Sequence, residues 1–195
     1  VGSEMCIRDR NTMGVSVSAA FAVVNRIDDF AYTPEQNIAH AMTALMAQNK
    51  GAGKTGRMKE GFRSGIILEI IYGILIFIIC FTFARPLMLM FVKDEEVIGH
   101  GVTYLHLISV MYLLPALTNG IQGFFRGIGD LKITLISSFI NMALRVLAAA
   151  PLVLIWKMGI EALPYSYLAG WIGMLVAETP LLLKTYKTWG KKARQ

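Results

Sequence analysis

The sequence predicts an all-α polytopic membrane protein with five transmembrane helices. Five long apolar runs are the main observation, because a helix needs about 20 residues to cross a hydrocarbon core about 30 Å thick. Backbone polar groups in that core must be paired within the protein, which favours helices. The composition agrees, since 55% of the 195 residues are hydrophobic and 16% are charged. The runs lie at residues 22–45, 65–90, 102–125, 133–156 and 163–183.

Basic residues are concentrated in alternate connections between the runs. The other connections are acidic or balanced, with Lys93 beside Asp94 and Lys157 near Glu161. The positive-inside rule therefore places the basic connections and the C-terminus in the cytoplasm. Since topology accounts for the net charge of +6, no nucleic-acid partner is predicted. The basic residues are Lys50, Lys54, Arg57, Lys59 and Arg63 after the first run, Arg126 and Lys132 after the third, and Lys184, Lys187, Lys191, Lys192 and Arg194 after the fifth.

The first ten residues are excluded from this predicted fold. They match no pattern that follows, and they lack the apolar segment of a signal peptide. Their sequence back-translates into the end of a transposon adapter used in DNA library preparation. We therefore interpret residues 1–10 as adapter-derived, residues 11–186 as a membrane domain and residues 187–195 as a basic cytoplasmic tail. On this interpretation the natural N-terminus is missing and the chain is a piece of a longer protein.

The first predicted helix is unusually polar. Asp28, Tyr32 and Glu35 recur at helical spacing and share one face. Carboxylates at membrane depth are costly unless they face a bundle interior or a wet cavity. We therefore predict a water-filled cavity that attracts cations, although Asp29 pairing with Arg26 and Glu35 bonding a neighbouring helix would also satisfy these groups. The adjoining polar row contains Arg26, Asp29, Thr33, Asn37 and His40.

One acidic residue, Glu69, lies in the second run, close to its basic end. Lys59 and Arg63 precede it at the predicted cytoplasmic boundary. Long charged side chains near helix ends can reach the membrane surface. We therefore expect Glu69 to be interfacial.

Glycines at a spacing of four residues mark predicted helix contacts. Gly61 and Gly65 form one such pair and Gly123 and Gly127 another, and this spacing lets helices approach closely in lipid. Gly127 and Gly129 also allow a tight turn after the third run. Asp130 then stands where it can cap the fourth helix.

The fourth helix carries a basic side chain, Arg145, with Asn141 one turn before it. An unpaired guanidinium at membrane depth is costly, so we expect a carboxylate partner. We favour a structural role for Arg145, because arginine does not deprotonate and cannot carry a proton. The sequence leaves four candidate partners, which are Asp28, Asp29, Glu35 and Glu178.

Two short motifs, each closing a predicted helix, carry a family resemblance. The first is Gln48-Asn49-Lys50-Gly51-Ala52-Gly53, and the second is Gly123-Phe124-Phe125-Arg126-Gly127-Ile128-Gly129-Asp130. Together with the polar first helix, its central Pro34, and Asn141 and Arg145, they make residues 11–186 resemble the second six-helix lobe of a multidrug and toxic compound extrusion (MATE) transporter. The motif residues that we expect to form structural cytoplasmic turns are Gln48, Asn49, Gly51, Gly53, Arg126, Gly127, Gly129 and Asp130.

The resemblance implies a twelve-helix antiporter of two lobes in the cytoplasmic membrane. Such a protein exports amphipathic organic cations in exchange for sodium ions or protons, needs no cofactor and has no catalytic residues. This chain would supply helices eight to twelve, and its main partners would be the missing N-terminal lobe and the lipid bilayer. The candidates for the transport cavity or ion coupling are Asp28, Asp29, Tyr32, Glu35, Asn37, His40, Asn141 and Arg145.

The coupling site departs from the pattern that the family implies. Many members bind the ion with acids on the seventh and tenth helices. Here residues 102–125 contain no carboxylate. The site would therefore lie in the missing lobe or be formed by Asp28, Asp29 and Glu35.

Two other functions fit these residues less well than the antiporter does. A flippase for lipids or lipid-linked oligosaccharides, from the same superfamily, would need basic side chains to bind phosphates. Arg26 and Arg145 are the only basic candidates at depth, and acids outnumber them. A membrane-embedded enzyme would need a nucleophile with its base, or a metal set. His40, His100 and His106 are too scattered for metal ligation, so no enzyme activity is predicted.

Overall fold

The computed structural model describes residues 2–154 and 162–192. This part of the chain is helical apart from short turns. Three parts of the predicted organisation lie outside the described residues, and these are Trp156 of the fourth run, the connection from Lys157 to Glu161, and Arg194 of the tail. Seven helices are formed, which are α1 (Gly2–Gly51), α2 (Thr55–Thr82), α3 (Ala84–Leu89), α4 (Glu95–Ser109), α5 (Leu113–Gly127), α6 (Leu131–Leu154) and α7 (Ala162–Lys192).

Within the described residues the five predicted runs are largely helical, although the second run divides between α2 and α3 at Phe83. Fewer than five segments of this part of the chain are long and apolar enough to span a membrane. Within the described residues, three segments are long and apolar enough, and these are Thr55–Thr82, Leu131–Leu152 and Pro164–Thr188. The bent pair α4 and α5 makes a fourth if it is counted as one span. By contrast, α1 carries four charged residues close together, which are Arg26, Asp28, Asp29 and Glu35. Its composition is therefore more polar than that of a typical membrane-spanning helix. The fold is therefore that of a helical membrane protein, with three or four clear spans.

The third predicted helix is interrupted rather than continuous. It divides between Ser109 and Leu113, and the axes of α4 and α5 differ by 48°. Pro115 explains the break, because proline removes a backbone donor and disfavours helical geometry in the preceding residue. The turn is held by backbone bonds from Met111 to the Ile108 carbonyl at 2.8 Å and from Tyr112 to the Ser109 carbonyl at 3.2 Å. The bend turns Tyr112 into the bundle, where it is almost fully buried.

α1 forms the centre of the bundle and packs against α2, α4 and α5. α6 and α7 form a close antiparallel pair, which joins the rest mainly through α5. The outer faces of α2 and α6 are apolar and open, as shown by Phe139, whose side chain is 77% exposed. In a bilayer such faces contact lipid, because lipid tails solvate them as well as a protein core does.

The predicted glycine contacts hold α1 against its neighbours. A Cβ atom built on Gly123 would lie 2.6 Å from the Ala39 carbonyl oxygen, and one on Gly127 would lie 2.6 Å from the Thr43 carbonyl oxygen. Thr43 Oγ1 donates to the Gly123 carbonyl at 3.1 Å, which links the two helices directly. The second pair, at positions 61 and 65 of α2, also faces α1. Both predicted pairs therefore mark sites of close helix approach.

The two turn motifs lie next to each other at one end of the bundle. α1 ends at Gly51, and Gly53 adopts a φ of 69°, which a side chain would disfavour. Gly129 has a φ of 81° in the second turn, and Asp130 is the residue before α6. Lys50 Nζ donates to the Ile128 carbonyl and so connects the motifs. Within them the Gln48 carbonyl accepts from Ala52 at 3.1 Å, Asn49 Nδ2 donates to Leu45 at 2.8 Å, and Arg126 Nε donates to Gln122 at 3.3 Å.

Replacing Gly123 with alanine is expected to destabilise the folded protein by about 1 to 3 kcal/mol, because the added methyl group overlaps the α1 backbone. The measurement is thermal unfolding of the full-length protein in detergent. Gly99→Ala is the matched control, since nothing lies within 4 Å of a Cβ at this helical position. Alanine at residue 99 should leave stability equal or slightly higher. Equal melting temperatures for the two variants would contradict the close contact.

Candidate functional site

A cavity of about 450 Å³ lies between the bend of α4 and α5 and the helices α1, α6 and α7. α1 contributes the polar side of this cavity, because its spacing of three to four residues keeps Asn25, Asp28, Asp29 and Tyr32 on adjoining faces. The remaining walls come from residues whose helices converge at the bend. The full lining is Asn25, Asp28, Asp29, Tyr32, Ile108, Met111, Tyr112, Pro115, Arg145, Tyr167 and Trp171.

The two aspartates of the cavity occupy different environments. Asp28 is half-buried and accepts a hydrogen bond from the hydroxyl group of Tyr112. Asp29 is exposed. Arg26 is exposed as well, and it forms no ion pair with Asp29 among the described residues. The local pairing that would have satisfied Asp29 without a cavity is therefore not formed, and both carboxylates line the open space.

Aromatic rings form much of the cavity wall. The Tyr32 and Trp171 rings are stacked, with centroids 6.4 Å apart and an interplanar angle of 26°. Tyr32 also meets Tyr112 edge to face at 6.4 Å. Faces of aromatic rings attract cations through the ring quadrupole. Acids and rings together therefore make a surface suited to positively charged, partly apolar molecules.

Arg145 stands in the same cavity, but its predicted carboxylate partner is not found. In the part of the chain that the structure describes, the only ion pair joins Arg85 to Glu95. The guanidinium carbon of Arg145 instead lies 3.9 Å from the centroid of the Tyr167 ring. Gly170 makes this arrangement possible, because a Cβ there would lie 2.6 Å from Arg145 Cγ. A cation–π contact and the open cavity thus replace the expected salt bridge.

Four other predicted site residues lie outside this cavity. Glu35 is 1% exposed and is buried between α1 and its neighbours. Asn37 lines a separate groove on the α1 and α2 surface, and His40 is exposed. Asn141 is buried beside a small cavity of about 150 Å³ on the α5 side of α6. The sequence thus located the polar helix correctly but grouped residues that the fold separates.

Glu69 is not interfacial, and this prediction was wrong. Its side chain is 0% exposed, and both carboxylate oxygens have no hydrogen-bond partner among the described residues. The reason is that α2 begins at Thr55, well before the apolar run, so that Glu69 lies near the middle of the helix. Lys59 is therefore more than two turns away along the helix axis.

Glu178 is a third buried acid, with 0% exposure, and it was one of the proposed partners of Arg145. Its Oε1 instead accepts a hydrogen bond of 3.4 Å from Gln122 of α5. Nothing in the sequence pattern selects that pairing, because it depends on how α7 docks against α5.

Sequence reasoning missed the aromatic residues of the cavity, namely Tyr112, Tyr167 and Trp171. They lie within apolar runs, where no local pattern distinguishes them from lipid-facing or core residues. Pro115 was the available signal, because it predicts a break that would redirect Tyr112. Recognition of Tyr167 and Trp171 requires the packing of α7 on α5 and α6, which no local pattern encodes.

A bundle of membrane helices with a polar cavity between bent and charged helices is typical of polytopic membrane transporters. Comparison with known families agrees with this class. Residues 11–150 match the MatE family model, so the chain belongs to the MatE family of membrane transporters.

Curated relatives and solved structures extend this similarity. The chain is 24% identical over 186 residues to the probable multidrug resistance protein NorM of Thermotoga maritima, covering 92% of this chain and 39% of that protein. It is 29% identical over 189 residues to the probable multidrug resistance protein YoeA of Bacillus subtilis, covering 93% of this chain and 39% of that protein. A solved outward-facing conformation of a multidrug resistance MATE family transporter of the MOP superfamily has a TM-score of 0.80 at 16% identity, covering 93% of this chain and 42% of that one. The chain thus spans about 39% of the curated relatives.

The cavity is expected to be open to water, whereas the outer face of α2 should be in lipid. Asn25→Cys in a full-length protein lacking Cys6 and Cys80 should react with a hydrophilic methanethiosulfonate reagent about tenfold faster than Ile74→Cys, because thiolates form only where water reaches them. The reaction is followed in membrane vesicles by the increase in mass. Equal rates at the two positions would show that the cavity is closed to water or that residue 74 is not in lipid.

Proposed function

We propose that this chain forms part of a cation-coupled antiporter that exports organic cations across the cytoplasmic membrane. The single observation that carries the proposal is the joint occurrence of Asp28, Asp29 and stacked aromatic rings in one cavity. Charge attraction and cation–π contacts act on the same ligands, which are cations with an apolar body. The printed names of the two curated relatives, both multidrug resistance proteins, support the same class of substrate.

Recognition in this cavity would depend on shape and diffuse charge rather than on fixed hydrogen bonds. Tyr32, Tyr112 and Trp171 offer flat surfaces that accept different ring systems. Asp28 supplies a negative charge that is oriented by the Tyr112 hydroxyl. Sites with few directional contacts bind many ligands with modest affinity, as expected for export of several compounds.

Arg145 would limit the net charge of the cavity. Its guanidinium group is held against Tyr167, so that one fixed positive charge faces the two aspartates across the cavity. A bound cation would approach the aspartates and be repelled by Arg145, which would orient an elongated ligand. The cavity thus has two acids and one base, which disfavours the alternative of a flippase for lipids or lipid-linked oligosaccharides. The phosphate groups of such substrates would meet two carboxylates.

The coupling ion would be a proton or a sodium ion, which returns along its gradient while the organic cation leaves. Buried carboxylates are the groups through which such ions commonly bind at membrane depth. In addition to the cavity residues, we keep Glu35, Asn37, His40 and Asn141 as candidates for ion binding or for lining the transport path. The N-terminal lobe of the same protein would complete the cavity on its open side.

The orientation of the lobe in the membrane is also part of the proposal. Lys50, Lys54, Arg57 and Lys132 cluster at the end of the bundle that bears the two glycine turns. The positive-inside rule places this end and the C-terminus in the cytoplasm. Asp94, Glu95 and Glu96 would then face the opposite side.

A topology experiment tests this orientation. Green fluorescent protein fused after Gln195 of the full-length protein should be fluorescent, because it folds in the cytoplasm. Alkaline phosphatase inserted after Lys93 should be active, because that enzyme matures only outside the cytoplasm. The opposite pattern of activities would reverse the proposed orientation.

Removing either cavity charge should weaken binding of an organic cation. Asp28→Asn and Asp29→Asn in the full-length transporter should each raise the Kd for ethidium about tenfold, which corresponds to about 1.4 kcal/mol of lost charge attraction. Binding is measured by ethidium fluorescence in detergent, and export is measured as dye efflux from cells. Glu96→Gln is the matched control, because it removes an exposed acid on α4 that does not line the cavity. Unchanged affinity in both aspartate variants would refute the cavity as the binding site.

A further inference from the structure

A second polar site lies apart from the cavity, between α1, α2 and α5. Glu35 is 1% exposed and Glu69 is 0% exposed, and all four of their carboxylate oxygens lack a hydrogen-bond partner among the described residues. Contacts between α1 and α2 on either side of the pair place Glu35 and Glu69 on facing turns of two antiparallel helices. Buried polar atoms in proteins are normally paired, so two adjacent unpaired carboxyl groups require an explanation.

The helix packing brings these groups together for identifiable reasons. Tyr72 of α2 donates to the Ala31 carbonyl of α1 at 3.0 Å, which fixes the α2 face that carries Glu69 against the turn before Glu35. Gly120 of α5 lies against the Glu69 side chain, because a Cβ built there would be in van der Waals contact with Glu69 Cγ at 3.4 Å. The same Cβ would lie 2.6 Å from Ile66 Cδ1, so glycine at this position lets α5 approach α2 closely.

Asn119 completes the group from α5. Its side-chain amide lies close to Glu35. The Nδ2 atom is nevertheless buried without a hydrogen-bond partner in the described structure. Two buried carboxyl groups and the buried Nδ2 atom of Asn119, a residue that is itself half-buried, therefore lie together where three helices meet.

The charges around the pair are unfavourable for two ionised carboxylates. The only ion pair of the described residues, between Arg85 and Glu95, is elsewhere on the surface. The titratable neighbours of Glu35 are Tyr32 on its own helix and Tyr72 on α2, and α5 contributes the neutral Asn119. None of these neighbours is a cation. Two adjacent carboxylates in a dry site without a counter-ion repel each other and lose their hydration, so that binding of a positive ion relieves both costs.

We propose that Glu35 and Glu69 share one transported proton and that Asn119 positions Glu35 for this exchange. The proposal rests on the proposed antiporter function. In the loaded state one carboxyl oxygen carries the proton and donates it in a hydrogen bond to the other carboxylate. On release the proton passes to water, both carboxylates remain, and their repulsion favours uptake of the next proton. No oxidant or reductant takes part.

A proton suits this site better than a metal ion. A proton needs only two oxygens in line, whereas hard metal ions take several oxygen ligands. In the described parts of the chain, no group of three His, Cys, Asp or Glu residues could hold a metal ion. The pair also lies about 10 Å along α1 from Asp28, since Glu35 is seven positions after Asp28. Proton binding and cation binding would thus occur at separate sites on one helix.

The test uses Glu35→Gln and Glu69→Gln in the full-length transporter, with Glu178→Gln as the matched control. Glu178 is equally buried but has its own hydrogen-bond donor in Gln122. Reconstituted vesicles are given a pH gradient, and ethidium transport is measured beside ethidium binding. Each variant of the pair should lose about tenfold or more of the transport rate while binding ethidium nearly as wild type, because only the proton site has changed. The control should retain transport and binding.

A second measurement, which does not depend on transport, reports the protonation of Glu35 and Glu69 directly. Infrared difference spectra between acidic and alkaline samples should contain a band from the protonated carboxyl group of the pair. This band should change in position or intensity in Glu35→Gln and in Glu69→Gln, because each variant removes the partner that shares the proton, and it should be unaffected in Glu178→Gln. A band unchanged in both pair variants, or transport driven by sodium alone, would overturn the assignment of a proton to this pair. If the wild type transports no ethidium under either gradient, the antiporter proposal fails for this ligand, and the infrared result still decides the proton site.

Discussion

The structure depends on one constraint, which is that the polar side of α1 must be kept away from lipid. Asp28, Asp29 and Glu35 lie on a helix that is embedded among apolar helices, and an exposed carboxylate at that depth would be costly. α2, α4 and α5 therefore surround α1, and each covers a different part of it. The cavity at Asp28 and the burial of Glu35 are two ways in which a single helix meets this constraint. Asp28 and Asp29 line an open cavity, whereas Glu35 is buried where α1 packs against α2 and α5.

Close packing is what allows α1 to be covered in this way. Gly123 and Gly127 bring the α5 backbone into contact with Ala39 and Thr43, and Gly120, one turn away, lets α5 approach the α2 face that carries Glu69. With little hydrophobic driving force between helices in lipid, such contacts contribute much of the association. Small residues on one face of α5 thus serve both stability and the placement of acids. α5 therefore contacts three features, which are the glycine turn at its C-terminal end, the buried acids near its middle and the cavity at the bend before it.

Much of the fold could be predicted from the sequence, because long apolar runs and glycine spacing are local signals. These local signals predicted the positions of the five runs, the polar character of α1 and both glycine pairs. The α4–α5 break was missed, although Pro115 signalled it, because the surrounding run is continuous in hydropathy. Glu69 was misplaced because hydropathy locates the apolar part of a helix and not its true start at Thr55. The Arg145 contact with Tyr167 depends on the docking of α7, and this requires the tertiary structure.

The bond from Lys50 to the Ile128 carbonyl has a mechanical consequence for the bundle. It fastens the ends of α1 and α5 at the glycine turns, where backbones are already in contact. Further along, Tyr112 at the start of α5 and Asp28 of α1 meet through one hydrogen bond beside the cavity. The two helices are therefore joined at the turns by backbone contact and at the cavity by a side-chain bond. A ligand that displaced the Tyr112 hydroxyl from Asp28 would remove the bond at the cavity and leave the contacts at the turns in place.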